Sequence, residues 1–274
     1  MIETPAYVGQ RYETAGAVDT GSRGTTITAS ASTNTKGSYS EIIASTAFSA
    51  MGFWLLVFNP SAQGRFLIDL AIGGSGSEQI IVPNFFTAQP SAKEGVAHAF
   101  FPMSIPAGTR LSARCQSNVA SIATDVIVLL LGGGNHPLRS GQLVEAYGPI
   151  TSTTSGVTID PGGTAHTKGA WAELIGSTAR AIHTLVVMAN NQNNGTHNYG
   201  TTLFDIAIGG AGSEQLVIPN IVRMTDGGPD TDSPQYLGTF PLTIPAGTRI
   251  AARSQCSSID ATDRLTYMTA YGVT

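Results

Sequence analysis

Carboxylates recur at matched places in this 274-residue chain, so they are the first residues to consider for chemistry. Glu78 and Glu214 each stand in a Gly-Ser-Glu-Gln segment, with Asp69 and Asp205 shortly before them. A pair of carboxylates can hydrolyse a glycosidic bond, one as acid and the other as base or nucleophile. The same residues also fit a structural interpretation, in which the Asp pairs with an Arg across two strands and the Glu closes a turn. We favour the structural interpretation.

A second acidic group lies in a Gly-rich segment that contains Asp226, Asp230 and Asp232. Carboxylate oxygens are Ca²⁺ ligands, so this segment is a weak candidate for a metal site. Asp is also a common turn residue, and a solvated loop explains the same pattern. The histidines and the two cysteines lack the paired spacing of a zinc site. We therefore predict no metal and no cofactor.

Motifs for nucleotide binding and for nucleophilic catalysis are also missing. The loop Gly73-Gly74-Ser75-Gly76 follows an apolar strand, but the next segment, QIIVP, is another strand, whereas a dinucleotide loop opens a helix. The sequence contains neither a GK[ST] phosphate loop nor a GxSxG nucleophile turn. Cys115 and Cys256 are expected to be free, buried thiols. The sequence therefore predicts a protein without catalytic activity.

The elements that carry these residues occur twice. The segment LIDLAIGGSGSEQIIVPNF from Leu67 matches LFDIAIGGAGSEQLVIPNI from Leu203 at twelve of nineteen positions, 136 residues apart. FPMSIPAGTRLSARCQ from Phe101 and FPLTIPAGTRIAARSQ from Phe240 form a second pair, 139 residues apart. A repeat of this length is the size of a whole domain. The chain is therefore predicted to be one domain, duplicated.

Short apolar runs rich in Ile, Val, Thr and Phe alternate with turns in which most of the 32 Gly and 14 Pro residues stand. This pattern is typical of an all-β sandwich or barrel, and no segment sustains a helical period. We predict about eight antiparallel strands in each half, arranged as a jelly-roll-like sandwich. The fold class is thus all-β, with two tandem homologous antiparallel β-sandwich domains.

The proposed boundaries follow from the repeat. Domain 1 is assigned to residues 21–148 and domain 2 to residues 149–274, while residues 1–20 precede the first repeat and are predicted to form an N-terminal arm. The arm contains Tyr7, Val8 and Tyr12 but too little apolar sequence to fold alone. We expect it to lie along a neighbouring subunit or to add a strand to an exposed sheet edge.

Alternation along the strands predicts one ion pair in each domain. Asp69 and Asp205 face outward on one strand, and Arg114 and Arg253 face outward on another. We therefore predict the cross-strand pairs Asp69–Arg114 and Asp205–Arg253. As exposed pairs they would each contribute roughly 0.2–1 kcal/mol.

The charge of the chain narrows the range of partners. Only 12% of the residues are charged, about half the usual proportion, and the net charge is −4. This composition fits a hydroxyl-rich soluble β protein, or a surface that neighbouring subunits cover. An acidic chain without clustered Lys and Arg does not favour nucleic-acid binding. No apolar run is long enough to span a membrane.

The repeated blocks resemble sequences of tailed-bacteriophage virion proteins. The resemblance is carried by KGSYSEIIAST, DLAIGGSGSEQIIVPN and IPAGTRLSARCQS, and by KGAWAELIGST, DIAIGGAGSEQLVIPN and IPAGTRIAARSQ in the second half. It covers most of both domains and implies a structural protein of the virion. Capsid decoration or cementing is the first expectation, and a tail, neck or baseplate component is the alternative.

The expected partners follow from this resemblance. They are other virion proteins, namely the major capsid or tail proteins, and further copies of the same chain in a homo-oligomer. A different class of function remains open, a carbohydrate-binding module that attaches to a host surface glycan. The aromatic residues that could line such a site are Tyr39, Phe53, Trp54, Trp171 and Tyr199.

Overall fold

A computed structural model of the protein describes most of the chain, namely residues 11–17, 23–89, 96–133, 139–148, 156–191, 200–225, 233–257 and 265–274. Eighteen strands and no helix lie in these stretches. Within them, nothing helical is therefore long and apolar enough to cross a membrane.

The strands form two sets of nine. The first set is β1 (Arg11–Ala15), β2 (Thr25–Thr28), β3 (Ser40–Ile43), β4 (Ala50–Phe58), β5 (Gly64–Ile72), β6 (Gln79–Gln89), β7 (Ala97–Phe101), β8 (Leu111–Ser117) and β9 (Ala123–Gly132). The second set is β10 (Val144–Tyr147), β11 (Val157–Ile159), β12 (Ala172–Ile175), β13 (Ile182–Asn191), β14 (Gly200–Ile208), β15 (Gln215–Thr225), β16 (Gln235–Ile244), β17 (Ile250–Cys256) and β18 (Thr266–Val273).

Each set builds two antiparallel sheets with the same strand order. In domain 1, sheet I has the order β1-β9-β4-β7, with β2 also on β9, and sheet II has the order β3-β8-β5-β6. In domain 2, sheet III has the order β10-β18-β13-β16, with β11 on β18, and sheet IV has the order β12-β17-β14-β15. Every strand thus has a counterpart nine strands later. The predicted all-β fold of two tandem homologous sandwiches is confirmed.

The core of each sandwich follows from the period of two along its strands. In β5, Phe66, Ile68 and Leu70 are fully buried between the sheets, while Leu67 and Asp69 point to the outer face of sheet II. Domain 2 repeats this alternation in β14, where Phe204 and Ile206 belong to its own core. The hydrophobic pattern therefore fixes which face of each strand meets the partner sheet.

The expectation that residues 1–20 form an arm outside the first domain is wrong for Arg11–Ala15. These residues are strand β1, which pairs antiparallel with β9 along its whole length. The Glu13 carboxylate also accepts a hydrogen bond from the backbone N–H of Ala47 at 2.9 Å. A short edge strand needs backbone partners more than apolar content, because each buried N–H and C=O must be satisfied. Tyr7 and Val8 lie outside the described residues.

The boundary between the domains also differs from the one expected. Val144–Tyr147, assigned from the sequence to domain 1, is strand β10 and pairs with β18 of domain 2. It is the counterpart of β1, and the carboxylate of Glu145 accepts a hydrogen bond from the N–H of Ala179 just as that of Glu13 does from Ala47. The two domains therefore begin at equivalent edge strands.

The central strands of sheet III, β13 and β18, are buried on both faces. One face forms the core of domain 2 and the other packs against domain 1, where Val186, Met188 and Val273 join the core of that domain. At the centre of this contact the Tyr271 ring stacks on Phe85, with centroids 5.8 Å apart. Its hydroxyl accepts a hydrogen bond of 2.8 Å from the backbone N–H of Phe86. The two sandwiches thus share a continuous apolar contact.

One core position is filled in two different ways. In domain 1, Ala15 and Leu130 are diagonal neighbours on adjacent strands of sheet I, and both are buried. The corresponding residues of domain 2 are Tyr147 and Gly272. A Cβ atom on Gly272 would lie only 2.6 Å from Cδ1 of Ile182 and 2.7 Å from the Tyr147 hydroxyl oxygen. The large side chain thus stands on β9 in domain 1 and on the edge strand β10 in domain 2. Each domain combines one large and one small residue at this place.

Candidate functional site

A cluster of charged groups lies on the outer face of sheet II around Asp69. Its carboxylate accepts hydrogen bonds from Lys36 Nζ at 2.7 Å, from Arg114 Nε at 3.0 Å and from the backbone N–H of Asn84 at 3.0 Å. Lys36 Nζ also donates to the carbonyl oxygen of Leu67 at 3.1 Å. The carboxylate therefore has three donors, two of them cationic.

Domain 2 contains the same cluster around Asp205. The donors are Lys168 Nζ at 2.8 Å, Arg253 Nε at 3.0 Å and the N–H of Asn220 at 3.0 Å. The structure thus brings together both Asp–Arg pairs that the sequence predicted. It corrects their surroundings, because Asp69 and Asp205 are only 2% exposed although they are on the outer face of their sheets. Alternation identifies the face of a side chain but not what covers it.

Sequence reasoning missed the lysine and the asparagine of each cluster. A signal was present, since Lys36 and Lys168 begin the matched segments KGSYSEII and KGAWAELI. Asn84 and Asn220 follow a proline in both repeats and have positive φ angles of 50° and 51°. Asn tolerates this left-handed conformation better than most residues. The irregular pairing at this point of β6 and β15 is where the backbone N–H donates to the carboxylate.

The clusters alter the ionisation of their members. Burial lowers the pKa of Lys36 from its ordinary value, and the neighbouring Asp69 carboxylate opposes that shift. Burial acts to raise the pKa of Asp205, but hydrogen bonds from Lys168, Asn220 and Arg253 outweigh it, and the pKa is lowered overall. Asp205 is therefore held in its ionised form.

A second pair of ionic clusters surrounds the recurring glutamates. Arg110 donates to the Glu41 carboxylate at 2.7 Å, to the Glu78 carboxylate at 3.3 Å and to the Gly73 carbonyl at 3.0 Å. Glu78 also accepts from the N–H of Gly76 at 2.9 Å and so closes the glycine-rich turn. In domain 2 Arg249 makes the same contacts, with Glu173 at 2.8 Å, Glu214 at 3.1 Å and Gly209 at 3.2 Å.

These contacts do not create a carboxylate pair for glycoside hydrolysis. Glu78 and Glu214 accept backbone N–H bonds in their own turns and bonds from an arginine, and these bonds lower the pKa of both side chains. A general acid in such a reaction needs a raised pKa, because it must carry a proton near neutral pH. Glu78 and Glu214 are thus suited to fastening turns.

The aromatic residues do not converge on one platform. The Arg114 guanidinium lies over the Tyr39 ring, 4.6 Å from its centroid, and Arg253 lies 4.4 Å from the Trp171 centroid. One face of each ring is therefore used in a cation–π contact. Phe53 is fully buried, and Trp54 packs against other aromatic rings at the boundary between the domains. Tyr199 lies outside the described residues.

The described part of the chain gives no support for a metal site or for a reactive thiol. No group of three or more His, Cys, Asp or Glu side chains there is arranged to hold a metal ion. The candidate calcium residues Asp226, Asp230 and Asp232 lie outside the described residues. Cys115 and Cys256 are buried and form no disulfide, as expected, and burial raises the pKa of the Cys115 thiol to about 12. That thiol is therefore unreactive near neutral pH.

A polar cleft of about 450 Å³ opens beside the Lys36 cluster in domain 1. Its walls carry hydroxyl groups from Thr28, Ser30, Ser38 and Ser40. In domain 2 the positions of Ser38 and Ser40 are occupied by alanines, at residues 170 and 172. The hydroxyl lining is thus particular to domain 1.

Large apolar side chains are exposed on two edge strands. On β15, Leu216, Val222 and Met224 have exposed fractions of 46%, 59% and 72%. On β1, Tyr12 is 61% exposed. Each strand pairs with a neighbour on one side only within the described residues. Exposed apolar edge strands are sites at which protein chains associate.

Comparison with known proteins gives matches of architecture. No protein-family model and no curated protein matches the sequence. Among solved structures, PNGF-II matches with 9% identity and a TM-score of 0.39, over 96% of this chain and 64% of that chain. PNGase F, a glycosylasparaginase from Flavobacterium meningosepticum, matches with 9% identity and a TM-score of 0.40, over 96% of both chains. The tandem domain CBM22-1–CBM22-2 of Paenibacillus barcinonensis Xyn10C matches with 10% identity and a TM-score of 0.27, over 97% of this chain and 92% of that one.

The prediction of a protein without catalytic activity is corrected by these matches. PNGase F is an enzyme, and its structure matches this chain over nearly its whole length. At 9% identity the likeness concerns the fold, because function depends on the residues of a site and not on the architecture that carries it.

Proposed function

We propose that this chain is a structural subunit that works by packing against other protein molecules in the virion of a tailed bacteriophage. The single observation that supports this proposal most is the exposure of large apolar side chains on β15 and β1. A sheet edge of this kind is costly for a free monomer, since it promotes association with other chains.

The charge distribution supports the same proposal. In each domain six charged side chains are paired with one another in two clusters, centred on Asp69 and Arg110 in domain 1 and on Asp205 and Arg249 in domain 2. In a chain with only 12% charged residues, few charges remain for the outer surface. Contacts with neighbours then bury little unpaired charge, which is the costly part of forming an interface.

The setting is proposed from the resemblance of the repeated blocks to virion proteins of tailed phages. Capsid decoration or cementing is the first proposal, with the major capsid protein as partner. A tail, neck or baseplate position is the alternative, with tail proteins as partners. In either case the subunit would act as a homo-oligomer on a symmetric particle.

Binding to particles tests this proposal. Purified protein is mixed with particles of the encoding phage from which it has been stripped, and the two are sedimented together. We expect saturable binding with a fixed number of copies per particle, and electron microscopy of the reconstituted particles then locates the density on head or tail. Absence of the chain from purified virions, together with no binding to stripped particles, would contradict the proposal.

A second candidate is carbohydrate binding for attachment to a host surface, favoured by the cleft beside Lys36. Ser and Thr hydroxyls both donate and accept hydrogen bonds, which matches the hydroxyl groups of a sugar. A glycan array with the intact protein tests this function. The double variant Ser38→Ala with Ser40→Ala is the matched control, because domain 2 folds with alanine at both positions. Binding that survives this change, or no binding at all, would exclude the cleft as a glycan site.

A further inference from the structure

Strands β6 and β15 occupy equivalent places in the repeat and in their sheets but differ in exposure. On the outer face of β6, Phe86 and Ala88 are buried together with Leu67 of the neighbouring strand. Their counterparts on β15 are Val222 and Met224, with exposed fractions of 59% and 72%. The same apolar stripe is therefore covered in domain 1 and open in domain 2.

Domain 2 contacts β6 directly. The Tyr271 hydroxyl accepts a hydrogen bond from the N–H of Phe86, and the Ser233 hydroxyl donates to the Ala88 carbonyl at 2.9 Å. Strand β10, the first strand of domain 2, also packs against β6. Within this chain, β6, the last strand of sheet II, therefore packs against β10, the first strand of domain 2.

The counterpart of β10 in domain 1 is β1, and its Tyr12 is 61% exposed. The opposite end of sheet I is already occupied, because Tyr236 packs on Trp54 with ring centroids 5.5 Å apart and Thr239 donates to the Phe100 carbonyl at 2.9 Å. The open part of sheet I is therefore the end formed by β1 and β2, which both pair with β9.

We propose that copies of this chain bind one another head to tail, with β15 of one copy packed against β1 of the next. The contact would repeat between molecules the meeting of β6 with β10 inside each molecule. This inference rests on the proposed function as a structural subunit and names the surface through which that subunit meets its own copies. Because the two surfaces differ, each copy has both, and the contact continues into a ring or a filament.

The side chains exposed on β15 and on β1 are suited to contact one another. Leu216, Val222 and Met224 offer an outward stripe on β15 that contains no exposed charge. Tyr12 presents an apolar ring with a polar tip, a side chain that is common in protein interfaces. Burying these groups removes apolar surface from water, which favours association by roughly 25 cal/mol per Å².

Analytical ultracentrifugation over a concentration series tests the contact. Three variants of the full chain are compared with the unchanged protein, namely Met224→Asp on β15, Tyr12→Asp on β1 and Val119→Asp. Val119 is the matched control, because it is an exposed apolar residue in the turn between β8 and β9.

We expect the unchanged protein and the control to self-associate. The first two variants should weaken association at least about tenfold, since each places a charge in an apolar contact. All three positions are exposed, and unchanged thermal unfolding will show that the variants fold.

Mixing the variants distinguishes this contact from a symmetric one. Met224→Asp retains an intact β1, and Tyr12→Asp retains an intact β15, so an equimolar mixture should form a complex of one copy of each and stop there. Association of Tyr12→Asp equal to that of the unchanged protein would overturn the proposal, as would a mixture that stays monomeric. A monomeric unchanged protein would overturn it as well. Particle binding separates this outcome from the proposed function, because a monomer that still binds stripped particles leaves that function intact.

Discussion

Domain 1 and domain 2 follow one plan of nine strands but differ in what surrounds the last strand of the second sheet. In domain 1 that strand, β6, is covered by the neighbouring sandwich, and Phe86 is fully buried. In domain 2 the corresponding strand, β15, is open, and Val222 is exposed. The ionic clusters, by contrast, are the same in both to within about 0.2 Å in each hydrogen bond. The shared clusters thus belong to the fold, whereas the different exposure of β6 and β15 reflects what lies beside them.

The largest difference in stability is expected when a side chain on the covered strand β6 and its counterpart on the open strand β15 are each shortened to Ala. Phe86→Ala leaves a cavity at the contact between the domains and should lower the free energy of unfolding by about 3–5 kcal/mol. Val222→Ala, at the equivalent exposed position, should change it by less than about 0.5 kcal/mol. Urea unfolding of both variants measures the difference. Equal losses would contradict the assignment of β6 as covered and β15 as open.

A somewhat smaller loss of unfolding free energy, equal in the two domains, is expected when either buried carboxylate is removed. Replacing Asp69 or Asp205 by Ala leaves two cations and one backbone N–H without their acceptor, and either change should cost about 3 kcal/mol. Thermal unfolding of the two single variants gives the comparison. Exposed Glu41→Ala is the control and should cost less than about 1 kcal/mol. A loss confined to one domain would mean that the two clusters do not have the same structural role.

A smaller effect is expected in the pH dependence of the free energy of unfolding, because that dependence includes the ionisation of Asp205. Its pKa in the folded protein is below the ordinary value of about 3.9, so its ionised form stabilises the fold above about pH 4. That contribution is lost as the pH falls through the folded pKa. The free-energy difference between the unchanged protein and Asp205→Asn should therefore shrink between pH 6 and pH 2.5. Urea unfolding at several pH values checks this, and a constant difference would argue against it.

The smallest effect is expected from the rings under the arginines. Trp171→Leu and Tyr39→Leu each remove one cation–π contact and should lower stability by about 0.5–1 kcal/mol, with the larger loss at Trp171 because indole binds cations more strongly. A double-mutant cycle with Arg253→Met isolates the pairwise energy for Trp171. No coupling between Arg253 and Trp171 would show that the ring contributes only through packing.

The repeat in the sequence was sufficient to predict the fold and both Asp–Arg pairs. Twelve identities within a nineteen-residue block require the same local structure twice, and alternation in β5 and β8 brings Asp69 and Arg114 to one face. The sheets that the edge strands β1 and β10 join could not be predicted, because Arg11–Ala15 and Val144–Tyr147 have little apolar pattern and are defined by their backbone pairing.

The burial of the predicted pairs depended on long-range contacts. Lys36 reaches Asp69 from 33 positions earlier in the chain, and no periodic pattern indicates that distance. Exposure of β15 was equally hidden, because its apolar residues follow much the same pattern as those of the covered β6. The difference comes from the position of domain 2 beside domain 1 and not from the strands themselves.

The exchange of Tyr147 and Gly272 for Ala15 and Leu130 has a consequence for how the two halves of the gene can change. Copying the codon of Leu130 into position 272 would place a side chain against the Tyr147 hydroxyl and the Ile182 side chain, and copying that of Ala15 into position 147 would leave an empty space. Recombination between the repeats would therefore be tolerated only when the codons of all three contacting positions are transferred together. Coupled positions of this kind oppose the exchange of sequence between the duplicated halves, although their strands follow the same order.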